Sequence, residues 1–194
     1  QMCIRDRIRG ALMHHFRLPI EGNIALVYPH IAYAEEILEV IQQNRGHLRR
    51  YLKWVDEVTT VEVERKFLEV MLTQVAKGEA LLYLIFDENQ FIGMVDLHAF
   101  DKEKRNAEVG YWLAEAKTKR GIVTRVVKKL CDIAFEDLAL NKLELRANVE
   151  NKGSNRIAEK VGFRWVGVKR DDEYIDHQYR DMNYYELLKS DYYA

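Results

Sequence analysis

The sequence predicts a mixed α/β domain built around one central sheet, and three observations indicate this class. Apolar residues repeat with strand spacing and with helix spacing in alternating stretches along the chain. No repeat or linker separates these stretches, and the only prolines, Pro19 and Pro29, lie near the N-terminus. A chain of 194 residues with 48% hydrophobic content is long enough to bury a substantial core. We therefore expect a single domain over residues 13–194.

Five elements are predicted in the N-terminal half. Residues 20–28 have strand character, and residues 34–44 form a helix with Ile37, Val40 and Ile41 on one face. Residues 80–86 and 91–100 predict two strands joined by the polar turn 87–90, with Gly93 indicating a bulge or a close backbone approach. Between the first helix and these strands, a second helix follows Thr60 and ends at Gly78. Its apolar residues recur every four positions: Val63, Phe67, Met71 and Val75.

The C-terminal half continues the alternation. Residues 107–113 predict a strand, and the longest amphipathic helix of this half follows from Arg125 to Leu138. Residues 142–149 alternate with period two, which places Leu143 and Leu145 on the opposite face from Glu144 and Arg146. A short helix over 154–161 and strands near 163–168 and 182–188 complete the sheet.

Composition excludes several classes of function. With 30 Lys and Arg against 31 Asp and Glu, the chain has no global field to gather nucleic acid or anionic lipid. Two cysteines exclude a disulfide framework and a four-cysteine zinc site, and the six histidines lack metal-ligand spacing. No apolar run reaches the roughly 18 residues of a membrane span. We expect a soluble, cytoplasmic protein that binds no metal.

Residues 1–12 lack helical or strand periodicity and precede a second methionine, Met13. We expect them to form a tail that is disordered or non-native, and a basic targeting segment is the alternative. Of the two cysteines, Cys3 lies in this segment, and Cys131 is expected to be a packed thiol on the long helix rather than a nucleophile.

One loop has the features of an anion site. Residues 117–124 place Lys117, Lys119 and Arg120 directly before Gly121 and the start of a helix. A helix N-terminus offers free backbone N–H groups, so neighbouring cations suit a pyrophosphate, and Gly121 permits close approach. The segment matches neither G-x-x-x-x-G-K-[ST] nor G-x-G-x-x-G. Because basic loops before helices are also common on solvated surfaces, the loop alone leaves both interpretations open.

Four segments, in this order, resemble the GNAT superfamily of N-acetyltransferases. They are residues 107–113 (AEVGYWL), 121–124 (GIVT), 143–154 (LELRANVENKGS) and 159–163 (EKVGF). The closer similarity is to the branch that acetylates the N-terminal amine of ribosomal proteins, and it extends from about Phe16 to the C-terminus. This resemblance implies a mostly antiparallel, twisted sheet of six to seven strands with splayed middle strands, flanked by about four helices.

The resemblance implies a cofactor site between the strand through Gly110 and the strand through Ala147. Their splaying would leave a wedge for the pantetheine arm of acetyl-CoA, with backbone groups near Trp112 and Leu113 pairing with it and polarising the thioester carbonyl. Asn151, at the mouth of the wedge, would hydrogen-bond the pantetheine. The loop would bind the pyrophosphate through a run of residues: Lys119, Arg120, Gly121, Ile122, Val123 and Thr124.

The same resemblance implies two catalytic residues. Ser154 matches the residue proposed in relatives to hydrogen-bond the sulfur, and Glu173, nineteen positions later, matches the proposed base. An α-amine with a pKa of about 7.7–8.0 is roughly a tenth neutral at pH 7, so a modest base suffices. Simpler roles are also open: Ser154 could cap the short helix, Asn151 could be a turn residue, and Glu173 lies in the charged segment 169–176.

The loop departs from the family pattern at two positions. The family usually has Gln-Gly-Lys-Gly-Ile where this chain has Thr118-Lys-Arg-Gly-Ile. If position 119 needs a left-handed backbone, Lys119 costs about 1–2 kcal/mol over glycine, or roughly tenfold in cofactor affinity. The charges of Lys119 and Arg120 can offset part of this cost, so we expect weakened or retuned binding.

These observations lead to one main hypothesis and two alternatives. The main hypothesis is direct acetyl transfer, in a ternary complex, to the N-terminal amine of a protein beginning with Ser or Ala, such as a ribosomal protein. Small-molecule amines are alternative acceptors, and a non-catalytic CoA-binding or regulatory module is an alternative class. We expect no direct contact with nucleic acid or membrane, and edge strands near the C-terminus could pair two copies as a homodimer.

Overall fold

A computed structural model describes residues 16–194 of the chain. One mixed sheet contains eight strands in the order β1-β2-β3-β4-β5-β6-β8-β7. The strands are β1 (Arg17–Pro19), β2 (Ile24–Val27), β3 (Leu81–Asp87), β4 (Gln90–Asp101), β5 (Asn106–Leu113), β6 (Lys142–Asn148), β7 (Arg164–Ile175) and β8 (Gln178–Leu188). All neighbours pair antiparallel except β5 and β6, which are parallel. The expected fold class is confirmed, with eight strands rather than six or seven.

Six α-helices rather than the expected four or so are present in residues 16–194, and short 3₁₀ turns connect some of them. They are α1 (Ala34–Gln43), α2 (Arg45–Leu48), α3 (Val61–Ala76), α4 (Ile122–Asp132), α5 (Lys152–Val161) and α6 (Lys189–Tyr192). A π-helical turn, Ile133–Asp137, extends α4. None of these helices is long and apolar enough to cross a bilayer.

The sheet has a core on each face. On one face, α4 and α5 contribute Val126, Leu130 and Ala158 to a cluster with the strand residues Leu143 and Leu145. On the other face, α1 and α3 cover a second cluster with their own apolar residues and those of β3 and β4: Ile37, Ile41, Leu68, Leu84 and Met94. The alternation predicted for residues 142–149 is confirmed, because successive residues of β6 point to opposite faces.

Several local expectations need correction. The strand expected over 20–28 is shorter than predicted and is β2 (Ile24–Val27) alone, because a turn with Gly22 at φ 63° precedes it. The separate strand β1 (Arg17–Pro19) lies before that turn. Thr60 does begin α3, accepting a hydrogen bond from the Val63 N–H at 3.4 Å. However, Val63 and Phe67 are exposed, whereas Leu68 is buried. The buried face of α3 is therefore not the face that the every-fourth-residue pattern marked.

Gly93 fulfils its predicted role as a point of close backbone approach. It pairs with Leu113 across β4 and β5, and a Cβ atom at this position would lie 2.2 Å from the Trp112 carbonyl oxygen. A larger residue would push β5 away from β4. Gly93 therefore fixes the position of β5 where that strand borders the candidate site described next.

Candidate active site

The sheet opens between its two parallel strands. β5 and β6 pair only over residues 106–108 and 142–144. Both strands continue beyond this point, over residues 109–113 and 145–148, and each stays bound to its other neighbour, β4 or β8. The backbone groups on the two facing edges therefore have no ladder partner across the gap. This gap is the splayed wedge expected from the resemblance.

Backbone groups of β5 line one side of the wedge. The Ala114 N–H donates to the Ile92 carbonyl on β4 at 2.8 Å, so the carbonyl of the same peptide group, that of Leu113, points the opposite way. The Trp112 side chain is buried, and its ring packs edge-on against Phe91 with a centroid separation of 5.6 Å. Of the two residues expected here, Leu113 offers its carbonyl to the wedge and Trp112 anchors the strand through its ring.

The start of α4 supplies free backbone donors. Gly121 precedes the helix with φ 71°, a left-handed conformation that glycine adopts without strain, and it has no side chain to cap the helix. The N–H groups of Ile122, Val123 and Thr124 consequently lack intrahelical acceptors. Because the side chains of Ile122 and Val123 are buried, these two residues can contact a ligand only through the backbone.

The cations of the preceding loop are not equivalent. Lys117 Nζ and Arg120 Nη1 lie 3.1 Å and 3.2 Å from the same oxygen of Asp87, at the end of β3. These ion pairs outweigh burial, which would raise the pKa of the Asp87 carboxyl, and hold that pKa below its ordinary value. Lys119 is exposed and has φ 61°, so position 119 does adopt the left-handed backbone on which the expected energetic cost of a lysine depends. Within residues 16–194, Lys119 is the loop cation that forms no ion pair.

On the opposite side of the wedge, Asn151 rather than Ser154 caps α5. The Asn151 Oδ1 atom accepts a hydrogen bond from the Ser154 N–H at 3.1 Å, so the expectation that Ser154 caps the helix is wrong. Ser154 lies in the first turn because the helix begins two residues earlier than predicted, at Lys152. The cap uses the amide oxygen of Asn151 and leaves its Nδ2 group as a donor for a ligand.

Two polar residues next to Ser154 were not identified from the sequence. Tyr111, on β5, has its hydroxyl 2.6 Å from Ser154 Oγ, which links β5 to α5. Asn155 donates through Nδ2 to the carbonyls of Asn148 and Asn151, at 2.9 Å and 2.8 Å. Its Oδ1 accepts from two residues of β8: Asn183 Nδ2 at 2.7 Å and the Tyr185 hydroxyl at 2.8 Å. Asn155 thus fixes the turn between β6 and α5.

Glu173, the expected base, is held by two cations. Its Oε1 accepts a hydrogen bond from Arg146 Nη1 at 3.1 Å, and its Oε2 accepts one from Lys53 Nζ at 2.8 Å. The carboxylate is only 17% exposed, so the simple solvated role considered for this residue does not describe it. A carboxylate has about four lone-pair positions, so two remain for a further partner.

A chain of charged side chains continues from Arg146 across the sheet. Arg146 Nε donates to Glu108 Oε1 at 2.8 Å, and His98 Nε2 lies 3.6 Å from the same oxygen. His98 Nδ1 contacts Asp96 Oδ1 at 2.6 Å. This hydrogen bond to Asp96, followed by the contact with Glu108, raises the pKa of His98 to about 10. His98 is therefore a cation at neutral pH.

Arg146 was also missed, although the sequence carried a partial signal for it. The alternation of β6 placed Arg146 on the polar face, but a polar strand face is usually solvated, and the register with Glu108 depends on the parallel pairing of β5 and β6. Despite burial, the hydrogen bond to Glu108 raises the pKa of Arg146 above its ordinary value.

The two expected catalytic residues reach the wedge from opposite faces of the sheet. Ser154 is on the α4 and α5 face, where Tyr111 also packs against the core. Glu173 is on the other face, because its partner Arg146 points away from Leu145 and Ala147, which belong to the first core. A molecule entering from one face and a molecule entering from the other can meet only where the sheet is open.

Metal binding and cysteine chemistry have less support than acyl transfer at the wedge. In residues 16–194, no group of three or more His, Cys, Asp and Glu side chains is arranged to hold a metal ion. Cys131 is fully buried, and burial raises the pKa of its thiol to about 12, which agrees with a packed thiol rather than a nucleophile.

Known proteins share both the sequence pattern and the fold. YdaF of Bacillus subtilis (strain 168), whose name proposes a ribosomal N-acetyltransferase, is 32% identical over 160 residues, which is 82% of this chain and 87% of YdaF. The ribosomal-protein-serine acetyltransferase of Escherichia coli (strain K12) is 28% identical over 158 residues, covering 80% of this chain and 87% of that enzyme.

A solved structure extends this comparison to three dimensions. The microcin C7 self-immunity acetyltransferase MccE, in complex with acetyl-CoA and AMP, superposes with a TM-score of 0.84 at 26% identity, over 92% of this chain and 99% of that one. A family profile described as an acetyltransferase (GNAT) domain matches residues 23–164, which include the wedge, the α4 loop and Ser154. With this match over most of its length, the chain belongs to the GNAT family of acetyltransferases.

Proposed function

We propose that this protein transfers the acetyl group of acetyl-CoA to the N-terminal α-amine of a protein that begins with Ser or Ala, and that a ribosomal protein is the acceptor. The observation that carries the proposal is the open wedge, with Ser154 on one face and Glu173 on the other. A donor and an acceptor entering from opposite faces can be oriented for direct transfer there. The names of YdaF and the E. coli relative support a ribosomal acceptor.

The residues around the wedge suit the donor. The N–H groups at the start of α4 would hold the pyrophosphate, with Lys119 beside them. The Leu113 carbonyl and the Asn151 Nδ2 group would bind the pantetheine amides from the two sides of the wedge. When bound, acetyl-CoA supplies an activated acetyl group. Ser154 would hydrogen-bond the sulfur, which becomes more negative as the group leaves.

Glu173 is the residue that would receive the proton of the amine. It lies on the acceptor face and keeps lone pairs beyond those used by Arg146 and Lys53. An α-amine loses its proton far more readily than a lysine side chain, whose pKa is about 10.4. A carboxylate is a modest base, so Glu173 suits an α-amine acceptor better than a lysine.

A thiol-release assay tests the proposal. The protein is incubated with acetyl-CoA and short peptides that begin with Ser or Ala, and free CoA thiol is measured. Matched peptides with an acetylated N-terminus serve as controls. We expect thiol release with the free peptides and background release with the blocked ones. No release above background at saturating acetyl-CoA would reject the proposal.

Two alternatives have specific motives. Small-molecule amines are retained as acceptors because MccE, which is similar in fold, was solved in complex with acetyl-CoA and a small molecule, AMP. Polyamines and aminoglycosides in the same assay would reveal such an acceptor by faster thiol release than the peptides give. A non-catalytic module is kept because Lys119 replaces the usual glycine at a left-handed position. Calorimetry separates this case, because millimolar or absent acetyl-CoA binding would favour the module and micromolar binding the enzyme.

Two finer proposals concern the setting of the enzyme. A ribosomal acceptor would place it in the cytoplasm, where ribosomal proteins are made. A homodimer would pair the edges of two β7 strands, since β7 is the last strand of the sheet and Lys169 and Arg170 directly precede Asp171 and Asp172. Antiparallel pairing would set cations opposite carboxylates. Light scattering tests this, and a monomer mass at all concentrations would contradict it.

A further inference from the structure

The hydrogen bond between Tyr111 and Ser154 crosses the wedge next to the proposed reaction centre. Tyr111 lies three residues beyond Glu108, the last residue of β5 that pairs with β6. Its hydroxyl oxygen is 2.6 Å from Ser154 Oγ in the first turn of α5. The bond joins the two sides of the wedge on the α4 and α5 face.

The direction of this hydrogen bond decides what Ser154 can do. A serine hydroxyl has one hydrogen and two lone pairs. If Ser154 donated to Tyr111, no hydrogen would remain for a ligand. If Tyr111 donates, the Ser154 hydrogen is free to point elsewhere, while the Ser154 backbone N–H stays committed to Asn151.

The surroundings of Tyr111 favour donation by the phenol. Burial raises the pKa of Tyr111 to about 12, so the phenol keeps its proton throughout the neutral and moderately alkaline range. A phenol is also more acidic than an aliphatic hydroxyl, which makes it the stronger donor of the pair. An O–H···O distance of 2.6 Å lies within the short part of the normal range.

We propose that Tyr111 is a positioning residue that donates its hydroxyl hydrogen to Ser154 Oγ and thereby directs the Ser154 hydrogen toward the thioester sulfur. This inference rests on the proposed function. During transfer, the amine nitrogen forms the new bond to the acetyl carbon and the carbon–sulfur bond breaks. The sulfur keeps the electron pair, Ser154 donates a hydrogen bond to it, and Glu173 takes the amine proton. Tyr111 keeps its own proton.

Steady-state kinetics of Tyr111→Phe, Ser154→Ala and the double variant test the coupling. Loss of one oriented neutral hydrogen bond predicts a fall in kcat of about threefold to tenfold for Tyr111→Phe, with KM for acetyl-CoA within about twofold. In the Ser154→Ala background the same change should cost nothing further, because the group that Tyr111 orients is gone. Tyr193→Phe, an equal change at an exposed tyrosine bonded to Glu136, is the matched control and should keep wild-type kcat.

A measurement without turnover provides a second criterion. A donor aimed at sulfur stabilises the thiolate, so the thiol of bound CoA, followed by ultraviolet absorbance, should ionise at lower pH in the wild type than in Tyr111→Phe. Ser154→Ala should give the same upward change, and Tyr193→Phe should give none. A change in thermal unfolding alone would not alter this midpoint, so it separates orientation from simple loss of stability.

The possible outcomes distinguish failure of this inference from failure of the proposed function. If Ser154→Ala lowers kcat and Tyr111→Phe does not, the inference is overturned and the proposed function stands. If the two losses multiply, Tyr111 acts independently of Ser154 and the inference is again overturned. If Tyr111→Phe tightens acetyl-CoA binding at unchanged kcat, the phenol obstructs the wedge instead. If the wild type releases no thiol and bound CoA shows no change in its thiol midpoint, the proposed function and the inference fail together.

Discussion

Arg146 holds Glu173 in place across the open part of the sheet. Its Nη1 donates to Glu173 at 3.1 Å, while its Nε donates to Glu108 at 2.8 Å, so one guanidinium joins β5, β6 and β7. The contact with Glu108 lies at the last paired residue of β5, where the two parallel strands separate. The Arg146 side chain therefore stabilises the point where β5 and β6 separate and also orients the proposed base, Glu173.

Replacing Arg146 should impair catalysis more than donor binding. We expect Arg146→Gln to lower kcat by about tenfold or more with KM for acetyl-CoA nearly unchanged, because Glu173 loses its orientation. The free energy of unfolding should fall by about 1–3 kcal/mol, since Glu108 and Glu173 each lose a charge-assisted hydrogen bond. Arg146→Lys should restore part of kcat, because lysine keeps the positive charge. The restoration should be incomplete, because one ammonium cannot reproduce the planar arrangement of donors with which the guanidinium reaches both carboxylates. Equal kcat in wild type and Arg146→Gln would contradict this account.

The stability of the protein should depend on His98 between neutral and alkaline pH. Its pKa is raised from about 6.5 to about 10 in the folded state, so its contribution is complete below about pH 6.5 and lost as pH rises toward 10. His98→Gln should lower the thermal midpoint at pH 6.5 and change it little at pH 10. His177→Gln, at an exposed hairpin tip, is the control. The same midpoint difference at both pH values would argue against the Asp96 and Glu108 contacts.

Glu64 should limit stability at and above neutral pH. It is 2% exposed on α3, its Oε1 atom has no hydrogen-bond partner in residues 16–194, and burial raises its pKa from 4.5 to about 7. Because the folded state binds this proton more tightly, stability rises as pH falls from about 7 to 4.5. Glu64→Gln should stabilise the protein at pH 8, on the order of 1–3 kcal/mol, and not at pH 4.

Urea unfolding at the two pH values checks the Glu64 prediction. Glu62→Gln, in the exposed part of the same helix, provides a matched control that should show no pH-dependent gain. A gain of equal size at pH 4 and pH 8 would show that the ionised carboxylate is not the cause.

Lys119 should weaken stability through its backbone, whereas its charge should favour cofactor binding. Its φ of 61° costs about 1–2 kcal/mol, of which glycine recovers a part after its larger unfolded-state entropy is counted. Lys119→Gly should therefore raise the free energy of unfolding by about 0.5–1 kcal/mol. Because the folded protein already has this strained backbone, the strain counts against folding and cancels in binding, so Lys119→Gly and Lys119→Gln, which both lose the charge, should bind acetyl-CoA with similar affinity. Urea unfolding that gives Lys119→Gly and Lys119→Gln equal free energies of unfolding would exclude the backbone effect.

The elements that could be predicted from the sequence are those with a local signal. The period-two pattern of residues 142–149 predicted β6, and the order of polar and glycine residues around Asn151 and Ser154 predicted the turn into α5. The cap itself was misassigned, because Asn151 and Ser154 are both good capping residues and the helix begins earlier than its apolar pattern.

The parts of the site that escaped prediction depend on contacts between distant segments. Tyr111 meets Ser154 over 43 positions of sequence, and Arg146 meets Glu108 over 38. Their side chains come together only through the register of β5 and β6 and the packing of α5. Glu173 was expected from the resemblance to related enzymes, but its two cationic partners follow from the way β7 and the 3₁₀ turn Lys53–Asp56 approach β6.

The most direct test is to identify which nitrogen accepts the acetyl group. A peptide that begins with Ser and contains one internal lysine is incubated with acetyl-CoA at pH 7, and tandem mass spectrometry locates the added acetyl group. We predict acetylation of the N-terminal nitrogen by the wild type and a fall in rate of about 100-fold or more with Glu173→Gln. Acetylation of the lysine nitrogen, or an equal rate for Glu173→Gln, would contradict the account of this site.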